Sequence, residues 1–414
     1  MRPLLPLLPF LLAVHPTIAS PTNKTGPNYG VISDLKSSET FTISETLEYE
    51  VEDADGNILT NDSRDSESKR WFDKPKGNTI IQSKPDPPKE LKFISQEEGT
   101  NIHDLKDFRY ADYAGAGVTI YAHDGGIYLE HSEFQAKRPK RVPKPKVERL
   151  IPKTTLEGHE FPQSLKDPDG HGTCVASKAI GLVSGVAKGA NLKMVPQHDI
   201  FNHDYMLTGL DAIAKDIKNI QREKKEKKDK KGFFPVVNLS YNLGSRITRG
   251  NYWYTEYRKK YLELIELGAL LVTVAGNLGP NEVDEYPAMF VEEYEFKDNL
   301  IVVGGVDVEG KMWRHSQNGP LVEAWAPAAV YDSPGSKPEG LSCASTTGAN
   351  EFGRDGGTSL AVPMVSGLAA YLYSTFEELR GDGAAGKVKE AIKDNSYPRG
   401  NGPASIWNMV KENC

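Results

Sequence analysis

Cysteine is scarce in this chain, with three in 414 residues, at positions 174, 343 and 414. They allow at most one internal disulfide and leave one thiol over, so the protein is no disulfide scaffold and must stand on its core. Which two would pair does not follow from their spacing. Long apolar runs are as scarce. Outside residues 4–14, no stretch is apolar enough to be considered as a membrane span. Nor is there an excess of positive charge. Lys+Arg 50 against Asp+Glu 57 gives −7, which removes any general case for nucleic-acid binding. The one basic concentration, residues 224–231, is interspersed with acids and reads as a solvated insertion. Gly115-Ala-Gly117 enters a predicted strand and does not leave one, so it fails the context of a dinucleotide loop. No internal repeat or heptad pattern is found.

At the N-terminus, Arg2 precedes a Leu-rich stretch at 4–14 that two prolines interrupt, and the small residues Ala19 and Ser20 follow. These are the parts of a signal peptide in order, too short to span a bilayer. The expectation is a secreted, extracellular chain without a membrane anchor. Asn23-Lys-Thr25 and Asn61-Asp-Ser63 are glycosylation acceptors in polar segments. A third match at Asn238 follows an apolar run and is discounted as buried. Residues 20–90 are polar and charged, with a proline-rich linker at 84–89 and a dibasic pair, Lys69-Arg70, where a processing enzyme could cut. The predicted organisation is a signal peptide at 1–19, a propeptide or N-terminal region at 20–90, and a main domain at 91–414.

Within that domain, β-branched and apolar runs at 118–122, 190–195, 236–239, 269–275 and 300–303 predict strands. The last two are apolar enough to be buried on both faces. Helical periodicity covers 205–222 and 254–267. Strands alternating with helices predict an α/β fold, a mostly parallel sheet with helices on both faces.

In such a sheet, reactive groups gather beyond the carboxyl ends of the strands. Asp124 follows the first strand, and Gly125-Gly126 let the chain turn. Asn277 leaves the strand ending near Ala275 in the same way, through Gly276. Two other candidates open helices. His171, in Asp169-Gly-His-Gly-Thr173, is flanked by glycines and sterically open. Cys174 beside it reads as a small buried residue, although a position three along the same helix leaves a reactive thiol open. Ser359, in Gly356-Gly-Thr-Ser-Leu-Ala-Val-Pro363, lies at a helix N-terminus, where unpaired N–H groups and the positive dipole end favour an oxyanion. The bland reading makes Thr358 or Ser359 an N-cap, with Pro363 tolerated in the first turn. His123, next to Asp124, should point to the opposite face of its strand. An acid, a base, a nucleophile and an amide donor brought to one sheet edge predict acyl-transfer chemistry.

The stretches Tyr121-Ala-His-Asp-Gly-Gly-Ile127, Asp169-Gly-His-Gly-Thr173, Val272-Thr-Val-Ala-Gly-Asn277 and Gly357-Thr-Ser-Leu-Ala-Val-Pro363, in that order, resemble the subtilisin-like serine peptidases, in particular the secreted fungal enzymes related to proteinase K. The resemblance spans about residues 90–394. It implies a three-layer subtilisin-like fold and a serine endopeptidase with Asp124, His171 and Ser359 as triad and Asn277 in the oxyanion hole. It also implies a substrate cleft built from Ser240 to Gly244 and from Val274, Ala275 and Gly276, which would pair with an extended protein or peptide substrate. An inhibitory pro-segment is inherited by position for 20–90, and a monomer is expected. No cofactor follows from the residues; structural calcium is common in the family, but no ligand cluster here is specific enough to name. Two departures stand out. Gly125 replaces the hydroxyl residue that normally supports the acid, and Ser-x-Gly of the substrate strand is stretched to Ser240-Tyr-Asn-Leu-Gly244. Two other readings compete: a catalytically impaired binding protein on a protease scaffold, and an esterase or transferase using the same triad.

Overall fold

The computed structural model describes residues 48–52, 78–162, 167–197, 199–229, 232–330 and 340–410. The signal segment, Asn23, Asn61, Lys69-Arg70 and Cys414 lie outside them. The first described strands form a small antiparallel sheet: β1 (Glu48–Glu52), β2 (Thr79–Lys84) and β3 (Phe108–Ala111), in that order. Helix α1 (Lys89–Ser95) lies between β2 and β3 in the chain.

The main sheet has seven strands: β4 (Thr119–Asp124), β5 (Val147–Arg149), β6 (Asn191–Pro196), β7 (Pro235–Leu239), β8 (Leu270–Val274), β9 (Leu300–Asp307) and β10 (Ala324–Ala329), ordered β10-β9-β8-β7-β4-β6-β5. Every neighbouring pair is parallel. The helices connecting and covering it are α2 (Ser132–Gln135), α3 (His171–Ile180), α4 (His203–Glu226), α5 (Tyr252–Glu266), α6 (Thr358–Thr375) and α7 (Ala384–Asn395). A hairpin of β11 (Leu341–Ala344) and β12 (Phe352–Asp355) leads into α6. The five predicted strands and two predicted helices all appear, with ends moved by a few residues. The architecture is the expected mostly parallel α/β fold with helices on both faces.

Side-chain alternation along β4 divides the core in two. Ile120 and Ala122 face the cluster that contains α3 and α6, while Tyr121 faces the cluster of α4 and α5. His123 also faces the second side, with its ring against Tyr241 and Gly209, and this leaves Asp124 on the α3–α6 side. Asn238, the discounted glycosylation acceptor, is fully buried and bonded on both sides of its carboxamide, to Ser240 and Ser366. Among the described residues, no helix is long and apolar enough to cross a membrane.

Position 90, where the sequence suggests a boundary, falls inside a packed region. Ile80, Ile81 and Gln82 on β2 are buried, and Gln82 Nε2 donates to the Val183 carbonyl at 3.2 Å. Glu90 and Lys178 are both buried and meet at 2.6 Å, with Glu90 also accepting from the Ser342 N–H and Lys178 donating to the Ser342 carbonyl. One ion pair thus fastens α1, α3 and β11. Removing one partner of a buried pair leaves the other charge uncompensated, at about 3–5 kcal/mol. Glu90→Ala is therefore expected to cost about 3 kcal/mol or more in denaturant unfolding, whereas an exposed change such as Glu157→Ala should stay within about 0.5 kcal/mol.

Candidate active site

Asp124 ends β4 at the point where the strand order reverses, since β6 lies on one side of β4 and β7 on the other. Crevices at such switch points, beyond the strand carboxyl ends, are where open α/β sheets bind ligands. His171 is the first residue of α3, whose N-cap Gly170 is left-handed at φ 76. The helix can come this close because position 172 has no side chain. A Cβ there would collide with the Gly126 carbonyl and lie 3.1 Å from Asp124 Oδ1. Asp124 Oδ1 accepts from the Gly125 N–H at 2.7 Å and engages His171 Nδ1 at 2.8 Å. Both side chains are buried. That bond fixes the ring and assigns Nε2 to any reacting group. Asp124 Oδ2 is buried without a hydrogen-bond partner among the described residues, at the acid whose supporting hydroxyl residue is replaced by Gly125.

Three carboxylates act on His171. Burial opposes charging the ring, but Asp124, with Asp355 and Asp167 adding, outweighs it and pushes the pKa up to about 9. Asp355 accepts from the Gly356 N–H at 2.7 Å, and burial holds its carboxyl above the ordinary range. Asp167 is pushed up to about 6, chiefly by burial, while its bonds to Thr173 oppose the rise. Asp167 Oδ2 accepts from the Thr173 N–H at 2.6 Å. Sequence reading singled out Asp169, two residues before the histidine. That side chain is exposed, and the two acids that matter were missed. Asp355 carried a signal in its place, directly before the Gly-Gly-Thr-Ser turn.

Ser359 is the second residue of α6. The N-cap is Gly357, so neither Thr358 nor Ser359 caps the helix with its side chain. The outside cap is Asn277: its Oδ1 accepts from both the N–H and the hydroxyl of Thr358, at 3.0 and 2.8 Å. This holds the Asn277 carboxamide one residue from Ser359 and leaves its NH₂ end for another partner. Pro363 lies in the second turn, and the first-turn expectation was wrong. Lacking an N–H, it leaves the Ser359 carbonyl without its i+4 donor. Ser240 Oγ supplies the missing bond at 2.8 Å, itself held by Asn238 Nδ2 at 2.9 Å.

The other cleft residues can be placed as well. Residues 240–244 leave the end of β7 outside any strand, and the Leu243 N–H bonds the Tyr286 carbonyl. Val274 and Ala275 are buried, and the Gly276 carbonyl accepts from the Gln317 N–H at 2.9 Å. Gly244, at φ 80, lies at the end of that run. Cys174 is no free thiol, because it is bonded to Cys343. The spacing of three cysteines could not reveal that pairing, and the chain brings it about by packing α3 on β11. His123 is no second base: burial lowers its pKa to about 4, and Nδ1 meets the Tyr241 hydroxyl at 3.0 Å. Among the described residues, one group of three could converge on a metal, Glu157, His159 and Asp204. With a single imidazole and two acids it does not match the six to eight oxygens that calcium takes, and it belongs to no part of this site.

Comparison with known proteins shows the family and the fold. The profile of the subtilase family matches residues 115–406. A protein named subtilisin-like protease 2 from Trichophyton rubrum is 30% identical over 274 residues, 65% of this chain and 53% of that protein. Its namesake from Arthroderma otae has the same identity and coverage. The chain spans about half the length of the curated relatives it matches. A crystal structure of a cold-adapted subtilisin-like serine proteinase superposes with a TM-score of 0.54 at 18% identity, covering 79% of this chain and 100% of that one.

A base must be unprotonated to take a proton. With His171 titrating near 9, turnover of an uncharged substrate should climb as pH rises and level off above that value. Asp167→Asn keeps an acceptor for the Thr173 N–H but removes a negative charge, so the inflection should move to lower pH. Stopped assays of kcat/KM from pH 5 to 10 would check both outcomes.

Proposed function

The chain belongs to the subtilase family, and from that premise we propose that it is a secreted serine endopeptidase. The observation that carries the reading is the 2.8 Å bond between His171 Nδ1 and Asp124 Oδ1, on the sheet edge that also presents the N-terminus of α6. Ser359 Oγ attacks the scissile carbonyl carbon while His171 Nε2 takes its proton. The tetrahedral intermediate collapses as that proton passes to the leaving amine, and Ser359 is left as an ester. Water, deprotonated by the same nitrogen, then attacks the ester, releases the acid and restores the serine. Asp124 holds the ring in the required tautomer and stabilises the imidazolium.

The oxyanion is held by the Ser359 N–H and the Asn277 side-chain amide. The second N–H of an α-helix has no acceptor within the helix, and the dipole of α6 adds positive potential there. The bonds from Thr358 to Asn277 Oδ1 support this role, because they turn the amide's donor end away from the helix. Substrate is held as an extended peptide along residues 240–244 and 274–276. Ser240 enters this reading as a residue that shapes the cleft, since its hydroxyl is committed to the Ser359 carbonyl.

The 1–19 signal, the glycans at Asn23 and Asn61, and an inhibitory N-terminal segment complete the proposal. The burial of β2 and the ion pair of Glu90 support a removable segment that ends upstream of Thr79; a cut after Lys69-Arg70 would leave both intact. N-terminal sequencing of the secreted form should then begin between residues 71 and 79.

An active-site fluorophosphonate should label the purified protein, with casein cleaved in parallel, and Ser359→Ala should abolish both. Asn277→Ala should retain labelling but lose about 10²–10³-fold in kcat, the scale known for the corresponding amide of subtilisin. Labelling with ester turnover but no peptide cleavage would favour the esterase reading, and no labelling after removal of the N-terminal segment would favour a binding protein.

A further inference from the structure

Beside Gly276 lies a group of hydrogen-bond acceptors that the chemical steps do not use. Gly276 has φ +115, and a Cβ on it would run into Gln317 Oε1 and lie 3.3 Å from Asn242 Nδ2. Gln317 is 1% exposed. Its Nε2 donates to the Glu282 carbonyl at 2.8 Å and to Asp284 Oδ1 at 2.9 Å. That turns Oε1 toward Gly276, where it is buried and accepts no hydrogen bond from a described residue. Asn242 Oδ1 is likewise buried without a donor. The Leu243 N–H bonds the Tyr286 carbonyl at 2.7 Å, which lays residues 242–243 against 285–286 and sets Asn242 beside Glu285. Glu285 is half-buried. Among the described residues, no lysine or arginine forms an ion pair with Glu282, Asp284 or Glu285.

The group is tied to the reacting centre from two sides. Gly276 precedes Asn277, and Ser240, two residues before Asn242, bonds the backbone of Ser359. On the peptidase reading, a substrate running between 240–244 and 274–276 therefore delivers the side chain before the cut to this group. We propose that the pocket formed by Gly276, Asn242, Gln317 and Glu285 selects lysine or arginine at that position, with Glu285 as the residue that decides the choice. The argument is one of donor and acceptor balance. An apolar side chain would seal two buried carboxamide oxygens and a carboxylate away from any donor, which is costly for each. A lysine brings three N–H donors and an arginine five, with a positive charge and no acceptor to clash. Burial, first, and Asp284, second, raise the Glu285 pKa, with the neighbouring Asn242 amide opposing them; an incoming cation relieves that strain on the charged form. The absence of a Cβ at position 276 is what lets Gln317 Oε1 lie against the backbone of the 274–276 segment.

The test uses the secreted full-length protein, its active sites counted by fluorophosphonate, and peptide amides that differ only in Lys, Arg, Phe, Leu or Glu before the cut. Lysine and arginine substrates should exceed phenylalanine and leucine by about 10-fold or more in kcat/KM, the scale of one desolvated charge pair. Glu285→Gln should collapse the lysine-to-phenylalanine ratio, and Glu285→Lys should turn the preference toward glutamate. A labelled enzyme that prefers phenylalanine or leucine, or whose ratio Glu285→Gln leaves unmoved, overturns this proposal while the peptidase reading stands. If the variants are not secreted in labelled form, the wild-type preference decides alone. Wild-type protein that, also after removal of its N-terminal segment, neither labels nor cleaves any of the five overturns the peptidase reading, and this proposal with it.

Discussion

A helix with no exposed face must be satisfied entirely by its neighbours, and all residues of α6 from Thr358 to Thr375 are buried. It runs under the main sheet, packs against α3, and carries Ser359 at its start. Being apolar on every side, it is held by the core and not by an amphipathic stripe. Its polar termini are the exception. The first residues have no helical acceptors, and Pro363 takes away one further donor. The groups that answer those needs are Asn277 on the loop after β8 and Ser240 on the loop after β7. Satisfying one buried helix thus draws two strand ends to the nucleophile, and the constellation follows from hydrogen bonds the fold requires in any case.

The acid and base are assembled by a different device, close backbone approach. Gly126 and Gly172 let the β4 turn and the α3 N-terminus touch, which brings His171 against Asp124. Around that pair the protein concentrates negative charge, with Asp167 and Asp355 beyond Asp124. Such a field keeps the imidazolium stable. This helps where the ring must hold a proton and hinders where it must be neutral.

Much of this was legible in the residues. Five strands were visible because parallel strands covered on both faces read as unbroken β-branched runs, and residues 269–275 and 300–303 are such runs. Asp124, His171, Asn277 and Ser359 were visible because each sits at a strand end or helix start marked by glycine, where composition changes abruptly. What was hidden depends on contacts between distant segments. Nothing near Asp167 distinguishes it from Asp169, since only the folded turn decides which carboxylate meets the Thr173 N–H. The role of Ser240 depends on a proline more than a hundred residues away. The boundary drawn at residue 90 followed polarity, and polarity does not show that Glu90 is buried against Lys178. Pairing of Cys174 with Cys343 needed the third dimension for the same reason.

That disulfide joins positions 169 apart in sequence, one in the helix that begins at His171 and the other on the hairpin that leads to Ser359. The covalent loop it closes contains most of the main sheet and both long outer helices. On the proposed reading, a peptidase at high concentration is exposed to its own copies, and its surface loops are the first places to be nicked. A cut anywhere inside this loop would leave one molecule of two chains, with His171 and Ser359 still bound through sulfur to the same unit. On that reading the cross-link would insure against self-digestion: a damaged molecule loses continuity without losing its parts.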